Sequence, residues 1–254
     1  MTRKLIPVVI VSVLSFTAAS AQITQPVGYT VPPPNYFFTV DPSPDPALRH
    51  NRLLQERTGE GVYTMVGQFK VTGSPYLFWG KNKGNIFSAS EKAYNILLSY
   101  NTYNQELGFY SSANPANMLV KTIGEVDSFF IQADPALDIS TPLKFIYGKY
   151  IGSKEETYYQ EVYSGPKYSV YKKYRSELGY VSSNYVQSDL RQFDLQAEYY
   201  YVDKDKKMKK IKANTVNVIK EFKSLKDITG VIPDDAFTLN ADESFKKVFA
   251  YLNQ

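Results

Sequence analysis

A chain of 254 residues with 29 Lys and Arg against 25 Asp and Glu has a formal charge of +4, too small to argue for a nucleic-acid partner. It has no cysteine and one histidine, which excludes disulfides, thiol catalysis, covalent haem attachment, a lipidated-cysteine anchor and zinc sites built from several His or Cys. Aromatic usage is heavy, with 22 Tyr and 15 Phe against one Trp, and tyrosine suits strands that pack a ring face while keeping the hydroxyl wet.

The chain opens with Thr2-Arg3-Lys4, an apolar stretch from Leu5 to Leu14, and small residues ending Ala19-Ser20-Ala21. That order predicts a cleavable secretory signal over 1–21. Its apolar core is shorter than the roughly 20 residues needed to span a bilayer, so the mature chain is expected to have no transmembrane helix. Residues 22–57 read as a spacer and a short helix. Pro26, Pro32, Pro33, Pro34, Pro42, Pro44 and Pro46 bias the first part toward extended backbone, and Arg49 to Arg57 fits the helix.

From 58 to 213 the dominant signal is period two, the mark of strands with one buried face. Tyr94, Ile96, Leu98 and Tyr100 form one such series; Leu143, Phe145 and Tyr147 form another. The run Thr157 to Tyr163, the turn Ser164-Gly165-Pro166-Lys167 and the run Tyr168 to Arg175 predict a hairpin. A second hairpin is expected where Asp203-Lys204-Asp205-Lys206 joins the strand ending near Tyr201 to one around Met208 to Lys212. Over 214–254 the period becomes helical: Val218, Ile219, Phe222 and Leu225 after the cap Asn214, then Phe245, Val248, Phe249 and Leu252 after Asn240 or Asp242. The expected fold class is α+β: a mainly antiparallel β-sheet, roll or partly open barrel of about eight to ten strands, with two C-terminal helices packed on it.

The catalytic motifs fail on context. Ser164-Gly165-Pro166-Lys167 fits S-x-x-K, but Gly165 and Pro166 oppose the helix that such chemistry needs. Gly73 to Gly80-Lys81 has the wrong glycine spacing for a phosphate loop, and no G-x-S-x-G occurs. His50 is a lone histidine without a partner set. Paired acids for glycan hydrolysis remain open, with Asp127, Asp134, Asp138, Glu161, Asp194 and Glu198 as the carboxylates in reach of one another only through the fold. Asp134 and Asp138 lack the regular spacing of a calcium loop. No catalytic, cofactor-binding or metal residue is assigned.

Two surface features are candidates for binding. Lys204, Lys206, Lys207, Lys209, Lys210 and Lys212 could meet an anionic surface, or they could simply solvate a hairpin and guard an edge against strand addition. Tyr158, Tyr159, Tyr163, Tyr168, Tyr171 and Tyr174 could form a ligand platform, or they could be cross-strand pairs that stabilise the sheet.

The signal ending Ser20-Ala21-Gln22, the segment Gly73-Ser74-Pro75-Tyr76-Leu77-Phe78-Trp79, the strand end Tyr100-Asn101 with Glu106-Leu107, and Gly165-Pro166-Lys167-Tyr168 carry a resemblance. Together they resemble a group of uncharacterised secreted β-rich proteins of Bacteroidota-type bacteria. The resemblance implies export and a β-rich body, and no activity. The expected protein is a cell-envelope component, periplasmic or outer-membrane-associated, that binds a partner protein or an amphiphilic ligand without catalysis. The alternatives are a glycan-acting hydrolase and an outer-membrane β-barrel, the latter disfavoured by the helical end and by charge on both strand faces.

Overall fold

The structure, a computed structural model, describes residues 50–57, 63–111, 114–181 and 190–254; the predicted leader and the prolines of the spacer lie outside them. Twelve strands form one sheet. They are β1 (His50–Arg57), β2 (Tyr63–Thr72), β3 (Asn82–Phe87), β4 (Lys92–Asn101), β5 (Glu106–Ser111), β6 (Asn114–Val120), β7 (Ser128–Ile131), β8 (Leu143–Tyr147), β9 (Tyr158–Tyr163), β10 (Tyr168–Tyr180), β11 (Leu190–Asp203) and β12 (Met208–Ile211). Three helices follow: α1 (Thr215–Phe222), the single turn α2 (Ala236–Leu239) and α3 (Ala241–Asn253). The α+β class is as expected. The strands outnumber the expected eight to ten because elements as short as the four-residue β7 show too few residues to display a period.

The sheet runs β1-β2-β11-β10-β9-β8-β7-β3-β4-β5-β6, with β12 also paired to β11. Every pairing is antiparallel except β2 with the start of β11, which is parallel. The first element departs from expectation. Where the sequence predicts a short helix over Arg49 to Arg57, the chain is the strand β1, aligned from His50 opposite Val71 to Arg57 opposite Tyr63. Leu, Gln, Glu and Arg favour helix locally, but that preference is worth only tenths of a kcal/mol per residue, and a full ladder with β2 outweighs it.

The two predicted hairpins form as read. In the first, Ser164 to Lys167 joins β9 to β10. In the second, the Asp203 carboxylate accepts from the backbone N–H of Asp205 and of Lys207, each at 2.9 Å, and so shapes the turn into β12.

The sheet curls until elements distant in strand order meet. The backbone N–H of Ser176 on β10 donates to Thr102 O just beyond β4 (3.1 Å), and the two hydroxyls of Thr102 and Ser176 lie 2.7 Å apart. Gln105 ties this seam: its amide nitrogen donates to Tyr174 O (3.1 Å), and its Oε1 accepts from the hydroxyls of Tyr100 (2.7 Å) and Thr157. Tyr100 has no exposed surface, so its hydroxyl needs such a partner.

Inside the curl lies an aromatic core. Phe129 and Phe145 stack with ring centres 4.5 Å apart, and Tyr158 meets Phe129 edge-on at 5.2 Å. A second core lies where α1, α2 and α3 cover the far end of the same face: Val170, Tyr199 and Tyr201 pack under Phe222, Phe245 and Phe249. The caps that start two of these helices are the predicted ones. Asn214 Oδ1 accepts from the N–H of Val216 and Asn217, and Asn240 Oδ1 accepts from that of Glu243.

Candidate functional site

Strand alternation decides the fate of the predicted tyrosine platform. Tyr158 is buried inside the roll, and its hydroxyl donates to Val126 O (3.2 Å). Tyr171 is buried on the opposite face with Ile151, Tyr159 and Val202. Tyr163 and Tyr168 are half-buried against the helical core, with the Tyr168 ring 5.9 Å from that of Phe222. These four rings are therefore divided between the two faces of the sheet and do not form one platform. Period two sends neighbours to opposite faces, and in this part of the sheet both faces are covered.

The lysines, by contrast, are where the sequence places them. Lys204, Lys206 and Lys207 are exposed on the β11–β12 turn, and Lys209 and Lys210 are exposed on β12. Lys210 pairs with Glu198, Lys209 stands 3.8 Å from Glu221, and the Lys209 ammonium lies 5.8 Å from the Tyr201 ring centre. The hydrogen bonds from Lys210 and from the Tyr200 hydroxyl hold the Glu198 carboxyl below the usual carboxylate range. Two of the five lysines thus have carboxylate partners on their own side of the sheet.

Five of the six named carboxylates are engaged by a neighbour. Asp127 accepts from the Tyr150 hydroxyl, Asp134 caps the turn Pro135–Leu137, and Asp138 ends that turn in a left-handed conformation. Glu161 is bound by Lys144 at 3.1 Å, Asp194 accepts from Gln192 at 2.8 Å, and Glu198 holds Lys210. Among the described residues no group of three or more His, Asp or Glu could hold a metal ion. Ser164 to Lys167 sits in its hairpin turn, where the N–H of Lys167 donates to Asn253 Oδ1 at 2.8 Å. His50 lies in β1, and its side chain is outside the described set.

Two hollows remain. The first, of about 360 Å³, opens at the β3–β4–β5 side of the roll and is lined by Ile86, Ala93, Ile96, Phe109 and Val126, with Ser88, Glu91, Lys92 and Lys121 around it. Ile86 and Val126 are buried, while Ala93, Ile96 and Phe109 are half-buried. Lys121 lies 3.7 Å from Glu91 and 6.0 Å from the Phe109 ring centre. That ion pair is largely exposed, so it holds Lys121 by at most about 1 kcal/mol. An apolar floor with ammonium groups at its edge is complementary to an apolar tail carrying an acidic head.

The second hollow, about 390 Å³, lies between the loop 137–143, β9, β10 and the start of α3. Its surroundings include a cluster that sequence reasoning misses. Lys172 has a side chain only 15% exposed, and its ammonium lies 3.1 Å from Asp242 and 5.0 and 5.5 Å from the ring centres of Tyr174 and Tyr199. Burial alone would pull this ammonium down, but the Tyr174 phenol, Asp242 and Tyr199 outweigh it and hold it above the ordinary lysine value. The Tyr199 hydroxyl in turn donates to Asp242 at 2.6 Å. A signal for Lys172 does exist in the sequence, because it occupies an inward position between Val170 and Tyr174. Its partner Asp242, 70 residues further on, has none.

Among the described residues, no helix is long and apolar enough to cross a membrane. No family model matches this chain, nor does any curated protein or solved structure.

Proposed function

We propose that this chain is an exported cell-envelope protein, periplasmic or outer-membrane-associated, acting as a non-enzymatic module that binds an amphiphile with an acidic head. The observation that carries the reading is the hollow bounded by Ile96, Phe109 and Val126, with Lys92 and Lys121 at its edge. Each methylene of a ligand buried there contributes about 0.8 kcal/mol, so a chain of about ten methylenes supplies the roughly 8 kcal/mol of micromolar binding before the cost of association is met. The lysines then select the sign of the head rather than supply most of the affinity. Export is supported by the order of residues 1–21 and by the resemblance to secreted proteins.

The test is displacement of a fluorescent fatty-acid probe from the protein. Phe109→Asp should abolish binding, and Lys121→Glu should weaken a carboxylate-headed chain about tenfold while sparing a neutral-headed one. Equal affinity for both heads in the parent protein would remove the role of the lysines. No binding of either would remove the reading. Cell fractionation checks the location: the protein should leave the cytoplasm and be released from membranes by alkaline carbonate, and retention in the cytoplasm would refute export.

A further inference from the structure

The second hollow is built by five separate parts of the chain, and its chemistry differs from that of the first. Phe78 comes from the loop before β3, Thr141 from the loop before β8, Gln160 from β9, Tyr174 from β10, and Asp242 and Lys246 from α3. We propose that it is a carbohydrate subsite that takes one neutral sugar unit.

The decisive side chain is Gln160, which is 5% exposed and yet lines the hollow. Its Oε1 accepts from the Tyr174 hydroxyl at 2.8 Å. That bond fixes the amide plane and leaves Nε2 as a donor with no acceptor among the described residues. Nε2 is not one of the buried side-chain atoms left without a partner, so it opens on the hollow and takes its acceptor from water or from a ligand. A sugar hydroxyl or ring oxygen supplies one.

The charges point to a neutral ligand. Asp242 is bound by Lys172 at 3.1 Å and by the Tyr199 hydroxyl, and Glu243 is bound by Lys246 at 2.6 Å. Glu161, although on the wall, directs its carboxylate to Lys144 of the neighbouring strand β8. Three of the four carboxylates lining the hollow are therefore already matched and the fourth, Asp138, is exposed to solvent, which leaves little to attract a free cation. What the engaged carboxylates keep is acceptor capacity, since each ionised oxygen pair can take about four hydrogen bonds. Fixed acceptors at Asp242, a fixed donor at Gln160, and the apolar surfaces of Phe78 and Tyr174 match a sugar, whose rim is hydroxyl and whose ring face is C–H. Phe78 is held toward this role at some cost: it begins a run of four residues with positive φ, Phe78 to Lys81, three of them not glycine.

The experiment is calorimetric titration of the protein with glucose, galactose, mannose and N-acetylglucosamine, beside the cations glucosamine and putrescine. At least one neutral sugar should bind saturably with a dissociation constant near about 1 mM, as suits one ring held by a few hydrogen bonds. Thr141→Trp, on an exposed rim position, should abolish binding while leaving the melting temperature unchanged. Gln160→Met, which keeps the shape and removes the donor, should weaken it about tenfold. Absence of saturable binding by every neutral sugar, undiminished binding to Thr141→Trp, or tighter binding of glucosamine than of N-acetylglucosamine would each overturn the proposal. If Gln160→Met fails to fold, the rim variant decides alone. Fatty-acid displacement in the Thr141→Trp protein should be normal, since the first hollow shares none of its residues with this one.

Discussion

At the scale of single residues, the roll depends on contacts too close for any side chain larger than the one present. Gly84 on β3 is the clearest case. A Cβ added there would lie 2.1 Å from Phe130 O on β7 and 2.5 Å from a methyl group of Leu98 on β4, so it is pressed from both neighbouring strands. Backbone cannot yield as a flexible side chain can. Gly84→Ala is therefore expected to destabilise the protein by about 3 kcal/mol, at the upper end of overpacking costs, and urea denaturation measures it. A loss below about 1 kcal/mol, as small as that of a well-tolerated core swap, would mean that the strands around Gly84 are looser than described. By comparison, Gly108 faces the flexible Met118 side chain, which can swing aside.

At the scale of elements, the hydrogen-bonded join between the end of α3 and the β9–β10 turn rests on one side chain. Asn253, at the end of α3, accepts through Oδ1 from the N–H of Lys167 (2.8 Å) and of Tyr168 (3.1 Å), and donates through Nδ2 to Tyr168 O (3.0 Å) and Phe249 O (2.7 Å). It thus splices the β9–β10 turn to the helix as a further strand segment would. Asn253→Ala removes all four bonds and should cost about 2–3 kcal/mol, given roughly 1 kcal/mol per hydrogen bond with some recovered by water. The same variant should expose the Ser164–Lys167 turn to proteolysis before the rest of the sheet, as peptide mapping of a partial digest would reveal. Uniform cleavage across the chain would argue against a local role. Unlike this turn, the β11–β12 turn is shaped by its own Asp203, so it needs no clamp from elsewhere.

For the whole molecule, the unusual quantity is the number of buried phenols. Burial raises Tyr100, Tyr158 and Tyr174 above the ordinary phenol value of 10.0, and pushes Tyr159 up to about 12. A folded value above the unfolded one means that folding retains a proton which the unfolded chain would release. The stabilisation is then fully present below pH 10 and is lost as pH climbs through the folded values. Lys172, also raised, acts in the same sense. The urea midpoint should accordingly be flat between about pH 8 and 9 and fall steeply from about pH 10 upward, with Tyr159→Phe making the fall shallower between about pH 10 and 12. A midpoint unchanged up to about pH 12 would show that these hydroxyls are not held away from water.

Local patterning is enough to read much of this molecule. Alternation places β4, β8, β9 and β10, turn chemistry at Ser164–Lys167 and Asp203–Lys206 joins the hairpins, and Asn214 and Asn240 start the helices, because each of these depends on residues close in the chain. The strand β1 is not legible, since its conformation comes from pairing with β2 and not from its own composition. The tyrosines show the same limit in another form: alternation tells that Tyr158 and Tyr159 face opposite ways, but the shifted register between β9 and β10 sets Tyr171 beside Tyr159, and only the roll and the flanking turn show that both faces are covered. Neither hollow can be read along the chain. Gln160, Tyr174 and Asp242 meet because the sheet curls and α3 docks across it, and Ile96, Phe109 and Val126 meet at the open side of that same curl. The sequence by itself determined the period, the turns and the caps, which are short-range; the curl, and with it every candidate site, was decided by contacts between residues far apart in the chain.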